Sequence, residues 1–258
     1  MESNNNKLKQ FYAKLALENA DKTSIAGRYD FDKGKEQFIV DDIVSKLDIK
    51  EKSSFFDIGC GGGLVAEYLI KYLHKLDVSL TMMDVEEVIG ILKRDTISDT
   101  MFPGLKVQLL NGYFPEDFSL TGQKFDRILL YAVLYQVDNP MEIIQEAVKL
   151  LSPYGKLLLG DLPNISRKGR FLSSGNGRVF DAGYKKMRVE DLPVYKSHHD
   201  FVEKMIADPE YYSMIDDQFV SNIYQEYTGM GYDVFILPQP ENLPFSKTRH
   251  DVLICKYD

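Results

Sequence analysis

Cysteines are scarce in this sequence, and long apolar stretches are missing from it. Cys60 and Cys255 are the only cysteines, and they are far apart and lack metal-ligand spacing. The sequence therefore supports neither a disulfide framework nor a zinc site, and no metal is expected. No segment approaches the roughly 20 apolar residues that span a bilayer, and the opening MESNNNKLKQ has no apolar signal core. We expect a cytoplasmic protein without a membrane partner.

Positive charge is also in deficit. The 31 Lys and Arg residues face 39 Asp and Glu residues, which gives a formal net charge of -8. Because binding to a nucleic-acid backbone depends on clustered cations, this balance disfavours nucleic acid and favours a small molecule as the partner. A chain of 258 residues with 44% hydrophobic residues can build one substantial core. We predict a single domain over residues 1–258, either a monomer or a homodimer.

Short apolar runs alternate with segments of helical period in the middle of the chain. Leu64 to Lys75 has an apolar helical stripe, and Pro140 is placed to begin another helix behind Asp138 or Asn139. This alternation predicts βαβ units and a parallel sheet with helices on both faces. The predicted strands, all expected to be buried on both faces, are Ser54 to Ile58, Val78 to Met83, Lys106 to Leu110, Asp126 to Tyr131 and Lys156 to Gly160.

The two ends of the chain complete the predicted fold. Helices at Lys7 to Glu18 and Lys35 to Leu47 make residues 1–50 an N-terminal helical segment. Strands at Asp233 to Leu237 and Asp251 to Lys256 are joined by a loop too short for a crossover helix, so they should pair antiparallel.

The regular pattern is interrupted after the fifth strand. After Asp161 the pattern breaks for about fifty residues rich in Gly, Pro and basic residues, until a helix near Gln218 to Tyr227. We read residues 162–216 as an insertion that covers the substrate. The expected fold is α/β: a doubly wound, seven-stranded, mostly parallel sheet with one antiparallel strand, a helical N-terminal segment and this insertion after strand 5.

A glycine-rich turn follows the first predicted strand. Asp57-Ile58-Gly59-Cys60-Gly61-Gly62-Gly63 stands where a strand gives way to a helix, whose free N–H groups can face a ligand. The dinucleotide fingerprint fails because Leu64 takes the place of its third glycine, and the loop lacks the lysine of a phosphate-binding P-loop. A tight turn without a ligand is the simpler alternative.

This turn resembles motif I of the class I S-adenosylmethionine-dependent methyltransferases, an acidic residue followed by G-x-G-x-G. Asp57, Gly59, Gly61 and Gly63 match it. The resemblance, which spans Ser54 to about Asp161, implies S-adenosylmethionine as the cofactor, with the turn wrapped around its methionine portion. An anionic residue beside the glycines suits the ammonium of that portion.

Further family elements follow in the expected order. Asp84 corresponds to the acid that accepts the ribose hydroxyls, with a helix N-cap as its alternative role, and Val85 resembles the residue on the adenine face. Tyr113 and Phe114 match the turn that contacts the adenine edge, although Tyr113 replaces the family's usual Asp. Tyr131 is placed to face the sulfonium group, and it and Phe114 are equally well read as core aromatics. Arg28 and Tyr29 are expected to close over the methionine end.

The acceptor side carries weaker signals. Between Asp161 and Glu190 there are seven basic and three acidic residues, so we predict that Arg167, Arg170 and Arg178 recruit a phosphorylated or carboxylated small molecule. A solvated basic loop is the alternative. Tyr135, in place of a family histidine, is expected near the acceptor.

The candidates for proton removal from the acceptor are few. They are Asp161, His198 and His199, and a solvated or capping role is the alternative for the two histidines.

The predicted activity is methyl transfer to an O or N atom of a small, anionic metabolite such as a sugar, a nucleotide-linked compound or a natural-product precursor. Two alternatives stay open. An NAD(P)-dependent oxidoreductase would use a similar sheet, and its misplaced glycine counts against it. A non-catalytic S-adenosylmethionine-binding scaffold is compatible with the departures at Tyr113 and Tyr135.

Overall fold

A computed structural model of the chain describes residues 34–97, 101–119, 121–206, 215–243 and 245–258. In these ranges the strands form one seven-stranded sheet in the order β3-β2-β1-β4-β5-β7-β6. The strands are β1 (Ser54–Ile58), β2 (Ser79–Asp84), β3 (Val107–Asn111), β4 (Phe125–Tyr131), β5 (Leu151–Pro163), β6 (Asp233–Pro238) and β7 (Arg249–Cys255). β7 runs antiparallel to both of its neighbours, and the other adjacent pairs are parallel. The predicted fold class is confirmed.

Helices cover both faces of this sheet. The described helices of eight or more residues are α1 (Glu36–Leu47), α2 (Leu64–Lys75), α3 (Glu86–Asp95), α4 (Pro140–Lys149), α5 (Ile165–Leu172), α6 (Gly175–Lys185), α7 (His198–Ile206) and α8 (Asp217–Gly229). α1, α2 and α3 bury their apolar stripes in one core, and α4 and α8 bury theirs in the other. Phe55 faces the first core and its neighbour Phe56 the second, as the two-residue period of a strand requires. None of the helices in the described ranges is long and apolar enough to cross a membrane.

The expectation that all five central strands are buried on both faces is wrong for β3. β3 is the last strand of the sheet on its side, and Gln108 and Asn111 are exposed. Its apolar residues satisfied the strand pattern, but an edge position depends on strand order, which a local pattern does not contain.

The segment after β5 is more regular than its composition indicates. α5, α6 and α7 pack on one another around Ile165, Leu172 and Phe201. Gly177 lies against Phe171, where an added Cβ would be 1.8 Å from the Phe171 carbonyl oxygen. Two of the glycines that indicated loops here, Gly169 and Gly177, instead permit close packing between helices. We call α5, α6 and α7 the cap. Its predicted role over the substrate stays a prediction.

The first 33 residues fall outside the described ranges, and with them the predicted helix Lys7 to Glu18 and the cofactor candidates Arg28 and Tyr29. The second predicted N-terminal helix is present as α1, one residue shorter than expected.

Candidate active site

The glycine turn between β1 and α2 has a conformation that requires glycine. Gly59 has φ 71° and Gly61 has φ 65°, in the left-handed region. A Cβ on Gly59 would lie 2.5 Å from Cγ2 of Val133, so the turn passes close to the segment after β4. The N–H groups of Gly59 and Cys60 donate to the Met83 carbonyl, which fixes the turn to the end of β2. Gly63 is the N-cap residue of α2, as the strand-to-helix interpretation predicted.

Asp84 joins this turn to the second strand. Its Oδ2 accepts a hydrogen bond from the Gly61 N–H at 2.8 Å, and its Oδ1 accepts one from the Val85 N–H at 2.8 Å. The N-cap position of α3 belongs to Val85. A carboxylate has about four acceptor positions, so each oxygen keeps capacity for a hydroxyl donor after these two bonds. The geometry therefore fits a ligand with two adjacent hydroxyls.

Asp57 is a buried acid at the end of β1. It is 3% exposed, and within the described ranges its carboxyl group forms no hydrogen bond. Burial and the nearby Asp84 raise its pKa to about 8, and burial raises the pKa of Asp84 to about 6 even though two backbone N–H groups oppose the shift. A cationic group bound beside Asp57 would relieve this cost. The acids and the turn together suit an ammonium and a ribose.

Two adjoining cavities lie over these residues. One has a volume of about 110 Å³ and the other about 230 Å³, and both are bordered by Gly59, Asp84, Val133 and Val137. The smaller cavity is also lined by Asp57, Gly61, Gly63 and Tyr131, where the methionine portion of the cofactor was predicted. The larger one is also lined by Val85, Tyr113 and Phe114, where adenine was predicted. The structure thus brings together every described residue of the predicted cofactor set.

The turn after β3 is held by a side chain. Asp117 accepts a hydrogen bond from the backbone N–H of Tyr113 at 2.9 Å, so this N–H is not available to an adenine edge. Phe114 packs in the core against Phe56 and Phe118, yet it also borders the larger cavity. Both interpretations of Phe114, as a core residue and as a cavity residue, are therefore satisfied at once.

The segment after β4 supplies residues that the sequence did not single out. Val133, Gln136 and Val137 line the smaller cavity, and the Gln136 side chain donates to the Ala132 carbonyl. In this segment the sequence analysis singles out only Tyr135, which stands in place of a family histidine. The sequence could show that Gly59 has no room for a side chain. It could not show that Val133, 74 positions later, is the residue that contacts Gly59.

The predicted acceptor-binding arginines each have internal partners. The Arg167 guanidinium donates to the carbonyls of Ser246, Lys247 and Arg249. Arg170 forms an ion pair with Asp217. Arg178 donates to the carbonyls of Val189 and Pro193. These bonds hold the cap to itself and to the sheet, and the geometry gives their predicted role in substrate binding no support.

The predicted catalytic residues are dispersed. His198 is half-buried and His199 exposed at the start of α7, with ring centroids 4.0 Å apart, and neither lines the two cavities. Asp161 lies at the carboxyl end of β5, is 8% exposed, and is ion-paired with Arg249. Its other oxygen accepts from Gln239 at 3.0 Å. Held in this way, Asp161 is suited to orient Arg249.

A buried network of charged groups is hydrogen-bonded to the backbone of Asp161. Asp251 accepts a hydrogen bond from the Asp161 backbone N–H at 2.8 Å and is fully buried. Lys46 of α1 donates to Asp251 at 2.5 Å and also pairs with Asp42. Burial raises the pKa of Asp251 to about 6, with Lys46 acting against that shift. The network ties β5, β7 and α1 together beside the site.

Comparison with known proteins decides what family these features belong to. The methyltransferase domain family matches residues 31–194, well over half of the chain. This chain belongs to the methyltransferase domain family. The predicted recognition as a class I S-adenosylmethionine-dependent methyltransferase, with S-adenosylmethionine as cofactor, is confirmed, and the interpretation as an oxidoreductase is set aside.

Individual relatives are distant. The ubiquinone biosynthesis O-methyltransferase of Xanthomonas oryzae pv. oryzae (strain PXO99A) is 28% identical over 48% of this methyltransferase and 48% of its own length. This chain therefore spans about half the length of that relative. The enzyme of the same name from Salmonella enteritidis is 25% identical over 69% of this chain and 64% of its own length.

Among solved structures, the plantazolicin methyltransferase BpumL in complex with a pentazolic desmethylPZN analog and SAH has a TM-score of 0.59. It shares 18% sequence identity and covers 98% of this chain and 99% of its own. At this sequence identity, the similarity is evidence for the fold alone. Within the described ranges, no group of three His, Cys, Asp or Glu side chains could hold a metal ion.

Proposed function

We propose that this methyltransferase transfers a methyl group to an oxygen or nitrogen atom of a small, anionic metabolite. The observation that carries the proposal is the pair of adjoining cavities over Asp57 and Asp84, with Tyr131 at the end of β4 on their border. Relatives named as O-methyltransferases favour oxygen over nitrogen as the acceptor atom.

Each residue around the cavities has a distinct task. S-adenosylmethionine, when bound, supplies an electrophilic methyl group. Asp57 would pair with an ammonium, and Asp84 would accept hydroxyl hydrogens while keeping its two backbone bonds. Tyr131 borders the smaller cavity, where its ring would favour a sulfonium cation.

Catalysis in this site rests mainly on alignment. A displacement at a methyl carbon needs nucleophile, carbon and leaving sulfur in line, and positioning alone can supply roughly 7–11 kcal/mol of barrier reduction. Asp161 is ion-paired and hydrogen-bonded, so its proposed contribution is orientation rather than proton removal. His198 and His199 stay candidates for proton removal, with the cap as the proposed cover of the acceptor.

The proposal is tested first at the cofactor. Isothermal titration of S-adenosylhomocysteine and of NADH should give heat only with S-adenosylhomocysteine. Asp84→Ala removes both hydroxyl-accepting oxygens, and we expect its Kd for S-adenosylhomocysteine to rise at least tenfold. The control Asp77→Asn alters an exposed carboxylate that pairs with Lys106. It should bind as the wild type does.

Turnover is the second test. Release of S-adenosylhomocysteine from S-adenosylmethionine should be measured with a panel of carboxylated and phosphorylated alcohols and phenols, their neutral counterparts, and amines. We expect anionic acceptors to give the highest kcat/KM. Binding of S-adenosylhomocysteine without methylation of any acceptor would favour a non-catalytic scaffold, and binding of NADH in its place would contradict the proposal.

A further inference from the structure

Arg249 lies at the edge of the sheet that carries the two cavities, although it lines neither of them. Tyr131 and Gly160 are register partners at the carboxyl ends of β4 and β5, and Arg249 pairs with Pro163 three residues farther along β5. The antiparallel direction of β7 therefore brings its first residue to the same edge of the sheet as the cavities. In α/β sheets this edge is where ligands bind.

The guanidinium of Arg249 is only partly used by the protein. Its Nη1 is ion-paired with Asp161, and its side chain is 19% exposed. In the part of the chain that the structure describes, Nε and Nη2 donate no hydrogen bond. Elsewhere in the molecule this same Nε–Nη2 edge binds a carboxylate with two bonds, in Arg94 with Asp95 and in Arg188 with Asp191.

Aromatic rings surround this guanidinium. The centre of the Phe245 ring is 4.4 Å from its central carbon, and that of Tyr135 is 6.0 Å away. The Tyr184 ring meets Phe245 edge-on at 6.0 Å. Contact with an aromatic ring restricts the guanidinium and places apolar surface next to it.

The charge around Arg249 favours an anion. Burial lowers the pKa of Arg249, but Asp161, Tyr135 and Tyr131 raise it by more. The net pKa is above the usual value, so the group stays charged. Burial lowers the pKa of Lys168 on the cap. Asp181 opposes this shift, and the nearby charges of Arg249 and Lys185 add to it.

The orientation of Arg249 is also fixed in advance. Asp161 is held by Gln239 and, through its backbone N–H, by Asp251. The Arg249 carbonyl in turn accepts from Arg167 of the cap. A guanidinium anchored at both its backbone and one nitrogen loses little freedom when it binds a ligand.

We propose that the Nε–Nη2 edge of Arg249 binds the carboxylate of an aromatic acid, and that this contact selects the methyl acceptor. A planar carboxylate matches the two parallel N–H groups, and Tyr135 and Phe245 would flank its ring. This inference rests on the proposed function, because it assigns the acceptor class of the same site. Arg249, rather than Arg167, Arg170 or Arg178, then supplies the predicted recognition of an anion.

The test measures acceptor-site binding without turnover. Benzoate and benzyl alcohol should be titrated into the protein saturated with S-adenosylhomocysteine, and wild type should bind benzoate more tightly than the neutral alcohol. Arg249→Lys keeps the charge but loses the two-bond edge, and we expect at least a tenfold weaker benzoate Kd with S-adenosylhomocysteine binding unchanged within twofold. The control Arg188→Met removes an exposed, ion-paired arginine near the cap and should bind benzoate like wild type.

A second variant covers the case in which loss of Arg249 impairs folding. Arg249→Met combined with Asp161→Asn removes both members of the buried pair and so leaves no unpaired charge. Benzoate affinity unchanged within twofold in either folded variant would overturn the inference. So would a parallel weakening of S-adenosylhomocysteine, because Arg249 would then bind the cofactor. Arg249-dependent benzoate binding without any methylation would support this site and contradict the proposed function.

Discussion

The two sides of the sheet's carboxyl edge are shaped by different parts of the chain, one by backbone and the other by charged side chains. On the cofactor side, between β1, β2 and β4, the shape is set by backbone: left-handed glycines, a tight contact with Val133, and N–H groups bound by Asp84. On the proposed acceptor side, between β5 and β7, the shape is set by charged side chains, with Asp161, Arg249 and Asp251 paired across the strands. The cofactor is shared by a whole family, while an acceptor is particular to each member.

This difference determines how each side can be damaged. A backbone turn fails when a side chain is added, because the bend has no room for it. A paired network fails when one charge is removed, because its partner stays buried and uncompensated. Substitutions of opposite kinds should therefore separate the two sides, and each side should fail without the other.

The largest effect is expected on the acceptor side, from Lys46→Met. Lys46 pairs with the fully buried Asp251. Removal of one partner of a buried pair typically costs about 3–5 kcal/mol. Urea unfolding should show a loss in that range, and the Kd for S-adenosylhomocysteine in the folded protein should change less than twofold.

Lys149→Met is the matched control for this prediction. Lys149 is 65% exposed and pairs with Glu146 one turn away on α4. Surface pairs of this kind contribute about 0–1 kcal/mol, so the free energy of unfolding should hardly change. Equal losses in the two variants would contradict the assigned importance of the buried network.

The next effect is expected on the cofactor side, from Gly59→Ala. The added Cβ would meet Val133 at 2.5 Å in a residue with positive φ. Strain and overpacking each cost about 1–3 kcal/mol. Because Val133 borders both cavities, we also expect the Kd for S-adenosylhomocysteine to rise at least tenfold.

Gly61→Ala separates the two causes. Gly61 also has positive φ, but a Cβ there would have no neighbour within 4 Å. The free energy of unfolding of this variant should fall by only about 1–2 kcal/mol, the cost of a Cβ in the left-handed region, which thermal unfolding can measure. If Gly61→Ala lowers the free energy of unfolding as much as Gly59→Ala does, the contact with Val133 adds nothing to the cost of positive φ.

The same difference explains what the sequence could predict. β1 and α2 were predicted at their observed bounds, and Asp84 was placed by its spacing from the glycine turn, because these features lie within one βα unit. Arg249 and Asp161 are 88 residues apart, and no local pattern joins them. Arg167 was read as a ligand-binding residue since a charge count cannot show that three backbone carbonyls occupy its donors. The cap helices were missed because Gly169 and Gly177, which indicated loops, serve helix packing.

The last effect concerns the proton on Asp57. Its pKa in the folded protein is about 8, against about 3.9 in an unfolded chain, so the folded state binds the extra proton between these values. The free energy of unfolding should therefore fall as pH rises through that window, by up to about 1.4 kcal/mol per unit. Asp84 and Asp251 act in the same direction up to about pH 6, and His250, with a folded pKa of about 4, acts in the opposite direction below about 6.5.

Asp57 is best measured between pH 7 and 8, where Asp84 and Asp251, with pKa values of about 6, are mostly ionised. In this range Asp57→Asn should abolish most of the fall in the free energy of unfolding. An ammonium bound beside Asp57 favours its ionised form, so S-adenosylhomocysteine should release protons on binding at pH 7. Titrations in buffers of different ionisation enthalpy measure that release, which should vanish in Asp57→Asn. The same proton release in wild type and Asp57→Asn would show that the ammonium does not bind at Asp57. The charge of Asp57 would then have no role on the cofactor side.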